Sequence, residues 1–137
     1  MNQPKIRGGL DTSVLMRLLT GQPAPLAEVA REYLAEVEES GSVVFVSNLV
    51  VSEAYFACQH HYRMAKADVL AGLLTLLSKP TFVVQQALLD LLTIDGLATA
   101  KPGFLDRLIH TEYAASGLKL VTFEKAANRL SEVLVLS

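Results

Sequence analysis

Residues 43–57 read VVFVSNLVVSEAYFA, a β-branched run that passes directly into a helical pattern. The run follows Ser40-Gly41-Ser42 and predicts a buried strand over residues 43–46. Similar short runs predict further strands over residues 81–84 and 118–122. Residues 5–10 predict a weaker first strand, because the pair Gly8-Gly9 loosens it unless another backbone approaches closely.

Helical patterns lie between these runs. The clearest has apolar residues spaced three and four apart: Leu26, Val29, Ala30, Tyr33, Leu34 and Val37. Two further stripes follow, one within residues 70–77 and one within residues 105–113. Strands that alternate with helices predict an α/β fold with a mostly parallel central sheet.

Composition favours one globular domain over residues 1–137. Of the 137 residues, 51% are hydrophobic and 19% are charged, which excludes a disordered chain. The single cysteine, Cys58, cannot form an internal disulfide, in agreement with a reducing compartment. Residues 1–10 contain no apolar core of a signal peptide, and residues 69–77 are far shorter than the roughly 20 needed for a membrane helix. We therefore expect a cytoplasmic protein with no membrane segment.

Four acidic residues occur where strands end or the following helices begin. Asp11 follows the first predicted strand, Glu53 lies early in the helix after residues 43–46, Asp106 lies in a first helical turn, and Glu124 comes two residues after Thr122. Ligands of open α/β sheets gather beyond the carboxyl ends of the strands. We therefore expect all four carboxylates at the same edge of one sheet.

Three of these acids also have a purely structural interpretation. Asp11 can cap the helix that begins at Thr12. Asp106 can complement the dipole of its helix, and Glu124 can be a solvated turn residue. Taken singly, each of the three is explained as well by structure as by function.

Glu53 is harder to explain by structure alone. It shares a helical face with Leu49 and Phe56. A carboxylate on a buried apolar stripe is costly unless it is paired or bound to a metal. The structural alternative is an ion pair with Arg17 or Arg107.

Net charge neither supports nor excludes a nucleic-acid ligand. The formal net charge is −2, although nucleic-acid binders usually carry a basic surplus. Setting aside the four candidate site acids leaves ten acidic residues against twelve Lys and Arg, a remainder of +2.

Four segments in order resemble the PIN-domain family, and within it the VapC-type ribonuclease toxins of bacterial toxin–antitoxin pairs. They are GLDTSVLMRLLT at 9–20, VSNLVVSE at 46–53, GFLDRLI at 103–109 and LVTFEK at 120–125. The resemblance covers nearly the whole chain. It implies a three-layer PIN-like fold with helices on both sides of the sheet. It also implies an RNA-cleaving site in which Asp11, Glu53, Asp106 and Glu124 hold Mg²⁺ or Mn²⁺.

Hard cations of this kind favour carboxylate and water oxygens. Such an ion acidifies water, and a second ion can stabilise the leaving oxygen. We expect Asp11 and Asp106 to be direct ligands, Glu53 to hold the geometry or orient the attacking water, and Glu124 to be an outer ligand. The hydroxyls of Ser13 and Thr122 are expected to support these acids.

The chain departs from the family pattern at three places. Ser13 stands where an asparagine is usual, Glu124 replaces an aspartate, and an additional acid often found just before Asp106 is missing. The longer Glu124 side chain leaves open whether it reaches the metal directly.

The expected function is a metal-dependent endoribonuclease that acts as a toxin, with a small antitoxin protein as partner. Two alternatives stay open: a Mg²⁺-dependent phosphatase or phosphotransferase of another α/β fold, and a non-catalytic PIN-like module that binds RNA or protein. Residues 67–77 are apolar nearly all round, which predicts either deep burial or coverage by a second copy in a homodimer.

Overall fold

A computed structural model describes residues 3–137 and shows helices packed around short parallel strands. The strands are β1 (Ile6–Gly9), β2 (Val43–Phe45), β3 (Phe82–Val83), β4 (Leu120–Thr122) and β5 (Val133–Val135). The helices are α1 (Thr12–Thr20), α2 (Ala24–Glu39), α3 (Asn48–His60), α4 (Lys66–Leu77), α5 (Gln86–Leu92) and α6 (Phe104–Ala115). Short 3₁₀ helices occupy Leu97–Thr99 and Lys125–Arg129.

The strands form two parallel sheets. One has the order β1-β2-β3, and the other pairs β4 with β5. The predicted α/β class with parallel strands is confirmed. The expectation that all the strand ends meet at the edge of one sheet is wrong, because β4 pairs with β5 outside the three-stranded sheet.

The first strand is irregular, as its glycines suggested. Its register against β2 shifts between Ile6 and Gly9. A Cβ built on Gly9 would stand 3.8 Å from the Phe45 carbonyl oxygen, an ordinary contact. Close backbone approach therefore does not require glycine here. Beyond the shift, the amide of Leu10 donates to Phe45 at 2.9 Å, which fixes the point where the chain leaves the sheet toward Asp11.

Helix α4 lies in the core. Its residues Val69, Leu70, Leu73 and Leu77 are buried, and the helix packs against α1, α3 and α5. The apolar residues that predicted either burial or a second copy are thus largely covered within the chain. Their pattern no longer argues for a homodimer.

Three other helices expose apolar residues that their stripes assigned to the core. Helix α2 buries Ala27, Ala30, Leu34 and Val37 but exposes Leu26 and Val29; α3 exposes Leu49 and Phe56; α6 exposes Ile109 and Tyr113. Within residues 3–137 no helix combines the length and apolarity needed to cross a bilayer.

Candidate active site

Asp11 lies between β1 and α1 and caps the helix. Its Oδ1 accepts hydrogen bonds from the Ser13 hydroxyl at 2.6 Å and from the Val14 amide at 3.3 Å. These bonds, the hydroxyl first, hold the pKa of the Asp11 carboxyl below its ordinary value. The side chain is exposed. Asp11 is thus an ionised carboxylate that is oriented by its own helix and open to solvent, and Ser13 contacts it as expected.

Glu53 projects from α3 toward the start of α1. With Thr12, Ser52, Phe56, Ala57 and His61 it lines an open cavity of about 410 Å³. Thr12 directly follows Asp11, so this cavity connects the helix that carries Glu53 with the helix that Asp11 caps.

The expected apolar surroundings of Glu53 were wrong. Its helical neighbours Leu49 and Phe56 are 70% and 54% exposed, because α3 turns this face outward and buries Val51, Ala54, Tyr55 and Cys58 instead. The alternative ion pairs are also not formed. Within residues 3–137 the only ion pair joins Arg31 to Glu28. The Glu53 carboxylate is exposed and unpaired.

Asp106 lies in the first turn of α6, is exposed, and lines a second cavity of about 250 Å³. Phe56 lines this cavity as well as the cavity of Glu53. Glu53 and Asp106 therefore face adjoining cavities that share one phenyl ring.

Glu124 follows β4, in the separate two-stranded sheet. Its carboxylate accepts from the Ala126 amide at 3.3 Å and caps a 3₁₀ helix, while its own amide donates to the Thr122 hydroxyl at 2.9 Å. Thr122 therefore supports the backbone of Glu124 rather than its carboxylate. This geometry matches the solvated-turn interpretation of Glu124.

The four acids do not form a closed metal cage. In the part of the chain that the structure describes, no three His, Cys, Asp or Glu side chains are grouped closely enough to hold a metal ion. Mg²⁺ usually keeps several waters and binds through one or two carboxylates together with substrate phosphates. Asp11, Glu53 and Asp106 each carry an exposed carboxylate outside any ion pair of the described residues, which is the type of ligand that such an ion takes one or two of. The chemistry of these residues therefore fits a hydrated divalent ion.

A polar network beside the site was missed by sequence reasoning. Asn48, 5% exposed at the start of α3, donates through Nδ2 to Gln85 at 2.8 Å and to Glu112 at 3.0 Å. Because Glu112 is a carboxylate and can only accept, the amide must present its nitrogen there. The network ties α3, which carries Glu53, to α6, which carries Asp106. The buried Oδ1 of Asn48 has no partner.

An aromatic pair on α3 was also missed. The rings of Phe56 and His60 lie 4.0 Å apart between centroids at an interplanar angle of 33°. Sequence reasoning placed His60 only at a helix end, where a cation suits the dipole. The i, i+4 spacing of the two rings was the available signal.

These features belong to a known class of domain. The PIN domain family model matches residues 10–133, and the chain belongs to this family. Among characterised proteins, a VapC ribonuclease from Aquifex aeolicus (strain VF5) is 25% identical over 122 residues, which cover 88% of this chain and 90% of that protein. No solved structure matches the chain significantly.

Proposed function

We propose that this chain is a divalent-metal-dependent endoribonuclease, formed by a single PIN-like domain and active in the cytoplasm as the toxin of a toxin–antitoxin pair. The observation that carries the proposal is the set of exposed, unpaired carboxylates of Asp11, Glu53 and Asp106. The cavities that border Glu53 and Asp106 share Phe56, and Thr12 joins the first of them to the Asp11 turn. Similarity to a VapC ribonuclease supports the choice of RNA.

Each residue has a distinct task in this proposal. Asp11, ionised and held by Ser13, offers an oriented oxygen ligand, and Asp106 offers a second from α6. Glu53 orients the attacking water from α3. Bound Mg²⁺ or Mn²⁺ supplies acidified water and neutralises phosphate charge. Glu124, engaged in its own turn, takes an outer role through water.

The proposal includes two protein partners, an antitoxin and a second copy of this chain. An apolar groove of about 630 Å³ separates α1 from α2 and is lined by Asp11, Arg17, Leu26, Val29 and Tyr33 among others. An antitoxin segment with apolar side chains would cover Leu26 and Val29, which water now contacts.

A homodimer remains part of the proposal on a surface other than α4. The exposed residues Leu49, Ile109 and Tyr113 line a cavity of about 500 Å³ between α3 and α6. A second copy would cover this apolar surface. Sedimentation of the purified chain measures its oligomeric state, and a monomer at high micromolar concentration would contradict the homodimer.

The activity is tested with structured RNA, Mn²⁺ and double-stranded DNA as a comparison substrate. We expect RNA cleavage that EDTA abolishes, with double-stranded DNA left intact. Asp11→Asn and Asp106→Asn should each lower the rate at least ~10²-fold, as loss of an active-site electrostatic group typically does. Asp95→Asn, an exposed acid outside these cavities, is the matched control and should keep full activity. Full activity in the Asp11 or Asp106 variant refutes the assignment.

The family match argues against a phosphatase of another α/β fold. A non-catalytic PIN-like module is distinguished by a thermal shift experiment. A metal-binding enzyme gains stability with increasing Mn²⁺, because the ion binds only the folded state. The Asp106→Asn variant should gain less than the parent, whereas a module without a metal site shows no dose response in either protein.

A further inference from the structure

The cavity beside Asp106 concentrates aromatic side chains. Tyr55, Phe56 and Phe104 line it, three of the nine aromatic residues in the chain, and His60 adds a fourth ring. Tyr55 and Phe104 are buried and meet edge to face with centroids 4.8 Å apart, which makes a rigid floor. Phe56, by contrast, is 54% exposed.

Core packing does not explain Phe56. A phenyl ring that is half exposed leaves much of its hydrophobic stabilisation unused. Within residues 3–137 its one aromatic contact is the tilted stack on His60, which leaves the ring partly open to solvent. The two rings together form a platform on the outer face of α3, at the junction of the cavities that Glu53 and Asp106 line.

The rest of the lining is mixed: Leu97, Ala98 and Leu105 are apolar, and Asp106 brings a carboxylate. Lys66, the first residue of α4, brings a cation, and Gln59 brings an amide. At about 250 Å³ the cavity is smaller than the roughly 300–1,000 Å³ of sites for drug-sized ligands. The cavity suits one planar group of a ligand that also carries a negative charge within reach of Lys66.

We propose that Phe56 and His60 form a stacking platform for one unpaired base of the RNA substrate, with Lys66 contacting the adjoining phosphate. The inference rests on the proposed nuclease function and assigns the contact with one base of the RNA to two residues of α3. Specific RNA recognition uses splayed bases that stack on aromatic side chains, which paired bases in a duplex cannot do.

The absence of tryptophan from the chain permits a direct test. Phe56→Trp introduces a single tryptophan at the platform, and its fluorescence is excited selectively over that of the four tyrosines. Leu118→Trp introduces a tryptophan at a site of similar exposure, 56%, outside this cavity. Each variant is titrated with a 12-nucleotide mixed-sequence RNA, single-stranded or as a duplex, once in EDTA and once with Mn²⁺.

We expect single-stranded RNA to quench the fluorescence of the Phe56→Trp variant strongly and duplex RNA to quench it little. Neither RNA should affect the fluorescence of the Leu118→Trp variant. In parallel, Phe56→Ala should weaken single-strand binding about 10-fold or more, while Leu118→Ala binds as the parent does. Because both positions are exposed, the variants should have the same melting temperature as the parent, which circular dichroism measures.

The outcomes separate the platform from the nuclease proposal. Quenching in the Phe56→Trp variant, with no RNA cleaved by the parent, supports the platform and refutes the nuclease. Cleavage by the parent with no quenching in that variant, in EDTA or Mn²⁺, overturns the platform alone. Equal quenching by duplex RNA also overturns it, because a paired base cannot stack there. Absence of both binding and cleavage overturns both proposals.

Discussion

Replacing Asn48 with aspartate keeps the shape of the side chain but changes its hydrogen-bond donor into a second negative charge. In the native protein the Asn48 amide nitrogen lies 3.0 Å from the Glu112 carboxylate and 2.8 Å from the Gln85 side chain. Gln85 can rotate its amide to donate to the new carboxylate, but Glu112 cannot donate. Asn48→Asp therefore destabilises the protein through the contact between α3 and α6.

The distance sets the size of the effect. Two unit charges 3.0 Å apart repel by about 5.5 kcal/mol at an effective dielectric of 20. Glu112 is exposed, so water and salt screen part of this repulsion. We expect Asn48→Asp to lower the free energy of unfolding by about 2–4 kcal/mol at pH 7.5.

Lowering the pH should recover much of this loss. Repulsion raises the pKa of the carboxyl pair in the folded variant above that in the unfolded chain. Protonating one carboxyl restores a donor between the two groups. The folded variant thus gains stability relative to the parent as the pH falls, and loses it again as the pH rises through the raised pKa.

Urea unfolding at pH 7.5 and pH 4.5 measures both effects in four proteins: the parent, Asn48→Asp, Glu112→Gln and the double variant. In the double variant the new glutamine donates to the new aspartate, so most of the stability should return at pH 7.5. If Asn48→Asp is as stable as the parent, or if the double variant is no more stable than Asn48→Asp, the contact does not hold α3 to α6.

Three further predictions follow from the site and the core. Ser13→Ala should raise the pKa of Asp11 toward its ordinary value, as measured by carbon NMR of the carboxyl group. It should lower the free energy of unfolding at pH values above the ordinary pKa of Asp11, where the carboxylate is ionised, and this loss should disappear at pH values below the lowered pKa of the parent. Glu53→Gln should leave the melting temperature in EDTA unchanged, because the carboxylate is exposed and unpaired, while RNA cleavage falls; a large shift in melting temperature would indicate a structural role. Leu73→Ala, in the fully buried face of α4, should cost about 2–5 kcal/mol in urea unfolding, and a smaller cost would indicate that the core collapses around the cavity.

Local sequence pattern was sufficient for the fold class and for β1 to β4, whereas β5 (Val133–Val135) was not predicted. β2 and β3 lie inside the predicted runs because β-branched and aromatic residues are buried there on short strands. Sheet membership could not be predicted in the same way. β4 pairs with β5, the strand that follows it in the chain, and residues 118–122 carry no signal that distinguishes β5 from β1 as a partner.

Local contacts at the candidate site could be predicted from the sequence, but long-range contacts could not. Asp11 next to Ser13 follows from local capping chemistry, and the structure places the two in contact. The network of Asn48, Gln85 and Glu112 joins residues separated by 37 and 64 positions in the chain, so no local pattern could indicate it.

The apolar residues that the helical stripes wrongly assigned to the core line several surface cavities, with Leu49, Ile109 and Tyr113 in the cavity between α3 and α6. Leu26 and Val29 border the groove that includes Asp11, and Phe56 borders the cavities of Glu53 and Asp106. Where an apolar stripe is wider than the buried face of its helix, some apolar side chains remain in contact with water, which lowers the stability of the protein. The more apolar helix α4 is largely covered instead, and the exposed apolar residues are the positions at which we propose contacts with ligands or partners. Sequence-based assignment of core residues is therefore wrong here at the positions where binding is proposed.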